Sequence, residues 1–406
     1  MKVNQTERWL RLALAAIVLL FAGVIYAWSI LKAPFASEFG WDAAKLGTNY
    51  TITIVCFCLG GFFSGLLTKL LSAKIRMFIS AALLFCGFFI TSRLQSGQVF
   101  LLYVAYGVMS GLGVGFTYTT VIGITGAWFP DRKGLCSGIM MMCFGLTSLT
   151  VGNLATPMMN SEAIGWRNTY LILAIVIGVI IAVAAFVIQP PKSGTVFPGA
   201  KAAAGKKGKK AAAAVDYPVR EMIRRASFWK LFILITIIAA VGSAAISFAS
   251  DILGDAGADK AAIASIVGVL SICNGLGRLA TGAMFDKLGA RKTQYFIGAV
   301  VLLAPIVLFL ATRSVSLPLS IIGLGLCFFA YGFAPTTSAS FVGSFYGMDN
   351  FSLKFSIMNL ILIPAPFASM LAGNLVKSSG SFTSTFMILI GCAVVGLFVN
   401  LSIKKA

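Results

Sequence analysis

The sequence contains no histidine and few acidic residues. Of its 406 residues, 12 are Asp or Glu and 32 are Lys or Arg, which gives a formal net charge of +20. Histidine is the most frequent general acid or base and a common metal ligand, so its absence removes the usual basis of an enzymatic or metal site. The eight cysteines lie in apolar segments without metal-ligand spacing. We therefore expect no enzyme, no metal site and no cofactor.

Polar stretches are also scarce, because charged residues make up 11% of the chain and hydrophobic residues 59%. Apolar runs of about 20 residues, the length that crosses a hydrocarbon core, recur throughout. The first run, Leu12 to Leu31, is too long for a signal peptide and has no small-residue cleavage site. The predicted fold class is an all-α membrane protein. Since the positive charges lie between the runs, without zinc-finger spacing or basic heptads, no nucleic-acid partner is expected.

Hydropathy, with Gly, Pro and charge as punctuation, predicts twelve transmembrane helices. One long polar segment separates them six and six, so the predicted domains are an N-terminal bundle at 1–189, a basic linker at 190–227 and a C-terminal bundle at 228–406. Lys and Arg are concentrated in alternate connections, which by the positive-inside rule places both termini in the cytoplasm. The predicted spans are 10–32, 46–71, 76–92, 98–128, 134–157, 165–189, 229–252, 260–286, 293–312, 316–346, 354–376 and 381–403.

The linker contains a Lys/Ala/Gly tract followed by the basic stretch Val219 to Trp229. We expect the tract, which includes Lys206 and Lys210, to be flexible and solvated. The basic stretch is predicted to form a short helix at the inner membrane surface that contacts anionic lipid. Binding of a specific regulator is the alternative.

The two halves of the chain are similar at a fixed offset. The run GAMFDKLGARK from Gly282 to Lys292 aligns, at a shift of 217 residues, with Gly65 to Lys74. A shift of 218 aligns the fifth span with the eleventh. The pattern indicates a duplicated six-helix unit, hence two pseudo-symmetric bundles that rock about a midplane site. A channel would need a continuous polar-lined pore, which the spans do not supply.

A single arginine, Arg278, lies inside an apolar run. An ionised side chain in a membrane helix costs about 2.5–3.5 kcal/mol on insertion scales, so it needs a ligand or partner. Asp286, eight residues on, is about 12 Å away along a helix. Snorkelling to the membrane surface is the alternative to substrate binding. One buried cation without a buried acid predicts a ligand with one negative charge, held by paired hydrogen bonds.

Two further groups of residues accompany Arg278. Asn274 lies one turn earlier on the same face, where it either orients the guanidinium or makes an ordinary interhelical hydrogen bond. Asp286, with Arg291 beside it, is predicted to cap a neighbouring helix N-terminus and hold an inner gate closed. Its first-half counterpart is Lys69, so this latch is expected to be one-sided.

Several motifs resemble the major facilitator superfamily, and more narrowly the oxalate/formate antiporter family, which is related to the monocarboxylate transporters. They are YAWSILKAPF at 26–35, GLGVGFTYTTVIGITGAWFPDRKGLCSGI at 111–139 and NGLGRLATGAMFDKLG at 274–289. The resemblance covers almost the whole chain. It implies a monomeric twelve-helix carrier of small carboxylates in a bacterial inner (plasma) membrane.

The resemblance also implies site residues. Arg278 matches the carboxylate-binding arginine of such carriers, and Asn274 matches the polar position one turn before it. Aromatic or hydroxyl contacts of the site match Tyr26, Tyr118, Phe329 and Phe333, and Tyr331 is a further aromatic candidate. Ordinary packing or anchoring at the membrane surface is the alternative for each aromatic residue.

Two departures from the family pattern bear on the substrate. Members that bind oxalate carry a lysine within the eleventh span, whereas Phe355 to Val376 contains no Lys or Arg. Proton-coupled relatives have an acidic residue at the position of Asn274. The sequence thus favours exchange or proton symport of a monocarboxylate such as formate, acetate or lactate. A dicarboxylate exchanger, a drug or sugar carrier of the superfamily and a non-transporting membrane sensor remain alternatives.

Overall fold

The structure is a computed structural model that describes residues 5–191, 216–364, 367–379 and 381–403. Every regular element in those ranges is helical. The Lys/Ala/Gly tract of the predicted linker, 192–215, lies outside the described residues. Five consecutive predicted spans lie in the N-terminal part, whose α-helices are α1 (Gln5–Ala22), α2 (Trp28–Leu31), α3 (Ala33–Phe39), α4 (Ala43–Leu66), α5 (Ala73–Ser92), α6 (Val99–Leu102), α7 (Gly111–Trp128), α8 (Lys133–Gly145) and α9 (Asn153–Asn160).

Short 3-10 and π-helical segments extend several of these helices. The 3-10 segments Gly23–Ala27 and Leu67–Lys69 follow α1 and α4, and the π-helical segments Tyr103–Ser110 and Ser148–Gly152 precede α7 and α9. The chain continues with α10 (Gly165–Val187), α11 (Val219–Arg224), α12 (Ala226–Ser247), α13 (Ala249–Asp255), α14 (Lys260–Ser314), α15 (Leu317–Phe345), α16 (Phe351–Asn359), a 3-10 turn (Leu360–Leu362), α17 (Phe367–Ser379) and α18 (Thr383–Ser402).

Ten stretches of the described residues are long and apolar enough to cross a membrane. One of them, Ser265–Ser314, contains both the eighth and the ninth predicted spans, which are separated by Gly289 in a non-helical conformation (φ 80°, ψ 171°). The predicted eleventh span is divided between the short apolar stretch Phe351–Leu362 and α17. A proline, Pro364, lies at this break and has no amide hydrogen with which to continue a helix.

Contacts between Cα atoms group the chain into two compact units. Unit 1 comprises Met1–Arg132, Cys143–Ala213 and Asn350–Ile357; unit 2 comprises Lys133–Met142, Ala214–Asp349 and Met358–Ala406. The fifth and eleventh predicted spans are therefore each divided between the units. The domain boundaries drawn from the sequence follow the linker alone, and the division into an N-terminal and a C-terminal bundle stays a prediction.

Glycines allow close approach of helices within each unit. In unit 1, a Cβ atom at Gly60 would lie 2.8 Å from Leu112 Cα, so α4 and the start of α7 approach backbone to backbone. In unit 2, a Cβ atom at Gly332 would lie 3.0 Å from Arg278 N, which shows the same closeness between α15 and α14. The α4 N-terminus is capped by Asp42, whose carboxylate accepts from Lys45 N at 2.8 Å.

Candidate functional site

Arg278 lies in the first half of α14 and is 3% exposed. Its Nε donates to Asn274 Oδ1 at 3.2 Å, and its Nη1 donates to the Met141 carbonyl oxygen of α8. Among the residues that the structure describes, no carboxylate forms an ion pair with it. The guanidinium is therefore buried and hydrogen-bonded to neutral acceptors, and it does not reach Asp286.

The helix that supplies the Met141 carbonyl runs beside α14. A Cβ atom at Gly138 would lie 2.7 Å from the Arg278 carbonyl oxygen, and one at Gly282 would collide with the Gly134 carbonyl. We call these contacts, with the Arg278–Met141 bond at one end and Asp286 at the other, the α8–α14 seam. Since glycine backbones form its middle, any side chain there would separate the helices.

Asp286 closes the opposite end of the seam. Its two carboxylate oxygens accept from Gly134 N at 3.0 Å and Leu135 N at 2.7 Å, in the first turn of α8. These amides have no partner inside the helix, and a carboxylate also complements the positive end of the helix dipole. The gating role assigned to Asp286 stays a prediction, and this cap is the geometry that such a role requires.

Arg291, the other residue assigned to the gate, points elsewhere. Its Nε donates to Tyr295 Oη at 3.0 Å and its Nη1 to the Ile403 carbonyl at 3.1 Å. Ile403 directly follows α18, so Arg291 donates a hydrogen bond to a carbonyl group at the C-terminal end of the last helix. The structure does not bring Arg291 to the first turn of α8.

The predicted aromatic residues of the tenth span pack against other helices of unit 2. Phe329 and Phe333 meet edge to face with ring centroids 5.0 Å apart, and Phe296 lies 5.8 Å from the Phe333 ring. Tyr331 lies against Gly242 of α12. The backbone of this part of α15 approaches the backbone of α14, with Gly332 against Asn274 and Arg278 and the Phe329 carbonyl against Gly277.

In unit 1 the two predicted tyrosines share an aromatic neighbour. Tyr118 lies 4.8 Å from Phe144 and Tyr26 lies 5.3 Å from it, centroid to centroid. Phe57 contacts both Tyr118 (5.3 Å) and Phe144 (5.9 Å), and Phe355 stacks on Tyr118 at 5.8 Å. The structure thus brings Tyr26 and Tyr118 together in one cluster of unit 1, whereas Arg278 and Asn274 belong to unit 2.

The expectation of one buried cation is wrong. Arg8, Arg76 and Lys354 are also buried, at 1%, 4% and 0% exposure. Arg8 forms an ion pair with Asp131, and Arg76 Nη1 donates to Ser64 O at 3.0 Å and Thr68 Oγ1 at 3.1 Å. Each lies near the end of an apolar run, where sequence reading places a side chain at the membrane surface; tertiary packing covers it instead.

Two residues beside Arg278 have no signal in the sequence. Met141 contributes a main-chain oxygen, which every residue type possesses. Thr336 of α15 is buried and donates to Met141 Sδ at 3.6 Å, so it contacts the residue that accepts from Arg278. Lys354, in contrast, could have been found from the sequence, because it is the first residue of the predicted eleventh span and lies about one helical turn before Met358.

The arrangement is suited to binding an anion. Arg278 offers a planar set of N–H donors whose present partners are uncharged, and Asn274 adds an amide beside it. Among the described residues, no group of three or more Cys, Asp or Glu side chains forms a metal site.

Comparison with known proteins identifies the family. The family model of the Major Facilitator Superfamily matches residues 13–362. The chain belongs to the Major Facilitator Superfamily. It is 27% identical over 360 residues to the MFS-type transporter YhjX of Escherichia coli (strain K12), covering 88% of this chain and 85% of that protein. It is 26% identical over 353 residues to the oxalate:formate antiporter of Oxalobacter formigenes, covering 85% and 80%.

A solved structure shows the same fold. The Major Facilitator Superfamily transporter FucP, in its outward conformation, superimposes with a TM-score of 0.72 over 98% of this chain and 100% of its own, at 14% identity. The predicted major facilitator fold and the similarity to the oxalate/formate antiporter family are confirmed. Superfamily membership identifies a multi-pass membrane transporter of small molecules, as expected, and not an enzyme.

Proposed function

We propose that the chain is a secondary active carrier of small organic monoanions such as formate, acetate or lactate, working by alternating access as an exchanger or proton symporter. The observation that carries the proposal is the buried Arg278 guanidinium, whose acceptors, Asn274 Oδ1 and Met141 O, are uncharged. A carboxylate accepts two parallel, charge-assisted hydrogen bonds from a guanidinium, and these are about twice as strong as bonds to neutral acceptors. The relative in Oxalobacter formigenes is named for oxalate and formate, and formate belongs to the proposed class.

Uptake into proteoliposomes of labelled formate, acetate, lactate and oxalate tests the proposal. Arg278→Lys keeps the charge but loses the planar pair of donors, which we expect to cost about 1.5–3 kcal/mol and lower uptake at subsaturating substrate about 10- to 100-fold. The matched control is Arg313→Lys, an exposed arginine at the far end of α14. Unchanged uptake in Arg278→Lys would remove the arginine from the substrate site.

Exchange of a dicarboxylate such as oxalate is the second candidate, and the burial of Lys354 favours it. The burial of Lys354, beside that of Arg8 and Arg76, weakens the argument that the ligand carries one negative charge, and the Lys354 ammonium group is suited to bind a carboxylate of oxalate. If Lys354 serves that purpose, Lys354→Met abolishes oxalate uptake and leaves formate uptake within about twofold. The control is Lys69→Met at an exposed lysine. Equal loss of both substrates would point to a structural role instead.

Tyr26 and Tyr118 are also proposed as substrate-binding residues, as the resemblance to the family implies, with Phe329, Phe333 and Tyr331 as further candidates. Their phenol hydroxyls are suitable donors to a carboxylate. Tyr118→Phe, which removes one hydroxyl and keeps the ring, tests the first assignment by the Michaelis constant for formate. We also propose a monomer in a bacterial inner membrane with both termini in the cytoplasm, on the basis of the alternating Lys and Arg content of the connections.

The basic stretch before α12 is proposed to bind an anionic phospholipid headgroup. Arg220 and Arg224 lie one turn apart on α11 and line a cavity of about 350 Å³ together with Pro218 and Glu221. Glu221 is paired with Arg225 at 2.8 Å, and this hydrogen bond raises the pKa of the Arg225 guanidinium. Arg220 and Arg224 form no ion pair among the described residues, so both charges are available to a phosphate.

We propose that this arginine pair lies at the level of the lipid headgroups. The apolar helix α12 starts at Ala226, and half-exposed Trp229 donates from Nε1 to Ile223 O at 2.8 Å, joining α11 to α12. We expect phosphatidylglycerol to raise the unfolding temperature of the purified protein more than phosphatidylcholine does. Arg220→Gln with Arg224→Gln should abolish the difference, whereas Arg313→Gln should not. A protective effect of inorganic phosphate alone would argue for a soluble anion.

A further inference from the structure

The α8–α14 seam links the proposed substrate site to the first turn of α8. Along α14, Arg278, Gly282 and Asp286 follow at one-turn spacing, and each contacts a successive part of α8 from Met141 to Gly134. All of these residues belong to unit 2. Anything that changes the partner of Arg278 therefore acts on one end of a continuous contact.

The two ends of the seam differ in kind. At Asp286 a carboxylate meets two main-chain amides that need a partner. At Arg278 a guanidinium meets a neutral carbonyl, a weaker bond than the one a carboxylate would form with the same donor. The Arg278 end is thus the one that an anionic substrate is able to displace.

The backbone beside Met141 is suited to such a change. The helix α8 ends at Gly145, four residues beyond Met141, and a π-helical segment, Ser148–Gly152, follows. Irregular segments of this kind interrupt the regular hydrogen-bond ladder of a helix and are frequent at functional sites. The grouping of contacts also divides the fifth span between Met142 and Cys143. The first three turns of α8 therefore belong to the unit that contains the seam.

We propose that the Met141 carbonyl is a placeholder for the substrate: it positions the Arg278 guanidinium in the empty carrier and is displaced when a carboxylate binds. Displacement removes the Arg278 end of the seam and leaves α8 attached by its glycines and by Asp286. Substrate binding is thereby coupled to loosening of α8, which favours movement of the loaded carrier over the empty one. The inference rests on the proposed function, because it requires a carboxylate at Arg278.

A buried cysteine of α8 provides the measurement. Cys136 lies between Gly134 and Gly138 and is 0% exposed, and Cys327 of α15, also 0% exposed, serves as an internal control. The rate at which N-ethylmaleimide modifies each cysteine is followed by peptide mass spectrometry on the whole protein. Formate, acetate or lactate, against sodium chloride at equal ionic strength, should raise the Cys136 rate at least threefold and leave Cys327 unchanged.

Two variants separate the steps. Arg278→Met removes the bond to Met141, so Cys136 should react at the raised rate without ligand and should no longer respond to it. Asp286→Asn weakens the other end of the seam, so its Cys136 rate should rise while the response to ligand remains. Faster modification of Cys327 in either variant would reveal general unfolding. The proposal is then tested by the Cys136 rate of the parent protein with and without ligand.

The outcomes distinguish this inference from the function on which it rests. If one of the three acids raises the unfolding temperature but leaves the Cys136 rate unchanged or lower, the placeholder role is overturned and the carrier proposal stands. If none of them shifts the unfolding temperature or is taken up, the monocarboxylate proposal itself fails. In that case an unchanged Cys136 rate in Arg278→Met also refutes the bracing of α8 by Arg278.

Discussion

The segments Gly65–Arg76 and Gly282–Thr293 occupy equivalent places in the two halves of the chain, and they use the same glycine for the same purpose. A Cβ atom at Gly65 would lie 2.7 Å from Leu353 Cα in α16, and one at Gly282 would collide with the Gly134 carbonyl in α8. Each glycine thus lets the start of another helix approach its own. The comparison shows that the backbone part of the contact is present in both halves.

The charged groups of the two segments differ. Asp286 caps α8, whereas its counterpart Lys69 is exposed and offers no acceptor to the start of α16. Arg76 is buried and bonded to Ser64 and Thr68, whereas its counterpart Thr293 donates to the Gly289 carbonyl. Glycine packing is therefore shared between the halves, and the electrostatic latch is present in one of them.

The same offset relates the proposed ligand-binding residues to two positions in the first half of the chain. Positions 217 residues before Asn274 and Arg278 are Phe57 and Gly61. Phe57 belongs to the aromatic cluster with Tyr118 and Phe144, and Gly61 packs against Thr119. Equivalent places on the two repeats thus hold an aromatic surface in unit 1 and a cation with an amide in unit 2. If the halves are repeats, as their offset predicts, they differ in polarity at two positions one turn apart.

The largest effect on this comparison is expected from Gly282→Ala. The added Cβ atom meets main-chain atoms of Gly134, which move only if α8 moves, so we expect a loss of about 1–3 kcal/mol of stability. Thermal unfolding of the purified protein measures the change. Gly65→Ala should lower stability less, because its closest approach is longer. Gly268→Ala in α14 is the control, since no atom lies within 4 Å of its Cβ position; equal behaviour of Gly282→Ala and Gly268→Ala would contradict the seam.

An intermediate effect is expected from Asp286→Asn. The amide keeps the size of the side chain but loses the charge that two N–H groups of α8 share, which we expect to lower stability by about 0.5–2 kcal/mol. The paired variant Lys69→Asn should change stability by less than about 0.5 kcal/mol because the lysine is exposed. Similar shifts in unfolding temperature for both variants would show that the latch is not one-sided.

The smallest effect is expected from Lys69→Asp, which supplies the missing carboxylate to the first half. The Leu353 amide of α16 already donates to Asn350 O at 3.0 Å, so an added acid finds no orphan partner there. A gain of about 0.3–1 kcal/mol from the helix dipole is the most that we expect at an exposed position. Unfolding temperatures at low and high salt separate this dipole term, which salt screens, from a new hydrogen bond.

Composition and periodicity predicted the helical membrane fold because membrane helices must satisfy their own backbone and cover it with apolar residues. The offset between Gly65 and Gly282 likewise indicated the repeat. The sequence did not show that the turn between the eighth and ninth spans would be as short as the non-helical Gly289, because hydropathy does not fix the length of a turn. Pro364, in contrast, was a visible signal for the division of the eleventh span.

Sequence reading identified Arg278, Asn274 and Asp286 as polar residues in informative places, and their roles in transport stay predictions. It did not identify Met141, since a main-chain carbonyl leaves no trace in residue type. It also underestimated Lys354 and Arg76, because hydropathy places a cation near a span end at the membrane surface, whereas neighbouring helices decide whether it is covered.

The turn at Gly289 in α14 depends on the residue type at that position. Its dihedral angles, φ 80° and ψ 171°, are accessible in practice to glycine alone. This residue separates the helices of the eighth and ninth predicted spans. Any other residue at this position would strain the backbone, so the connection between the two helices depends on glycine. Arg291, two residues after Gly289, donates to the Ile403 carbonyl oxygen at the end of α18. The glycine that joins the helix of Arg278 to the next one therefore lies two residues from a contact with the final helix of the chain.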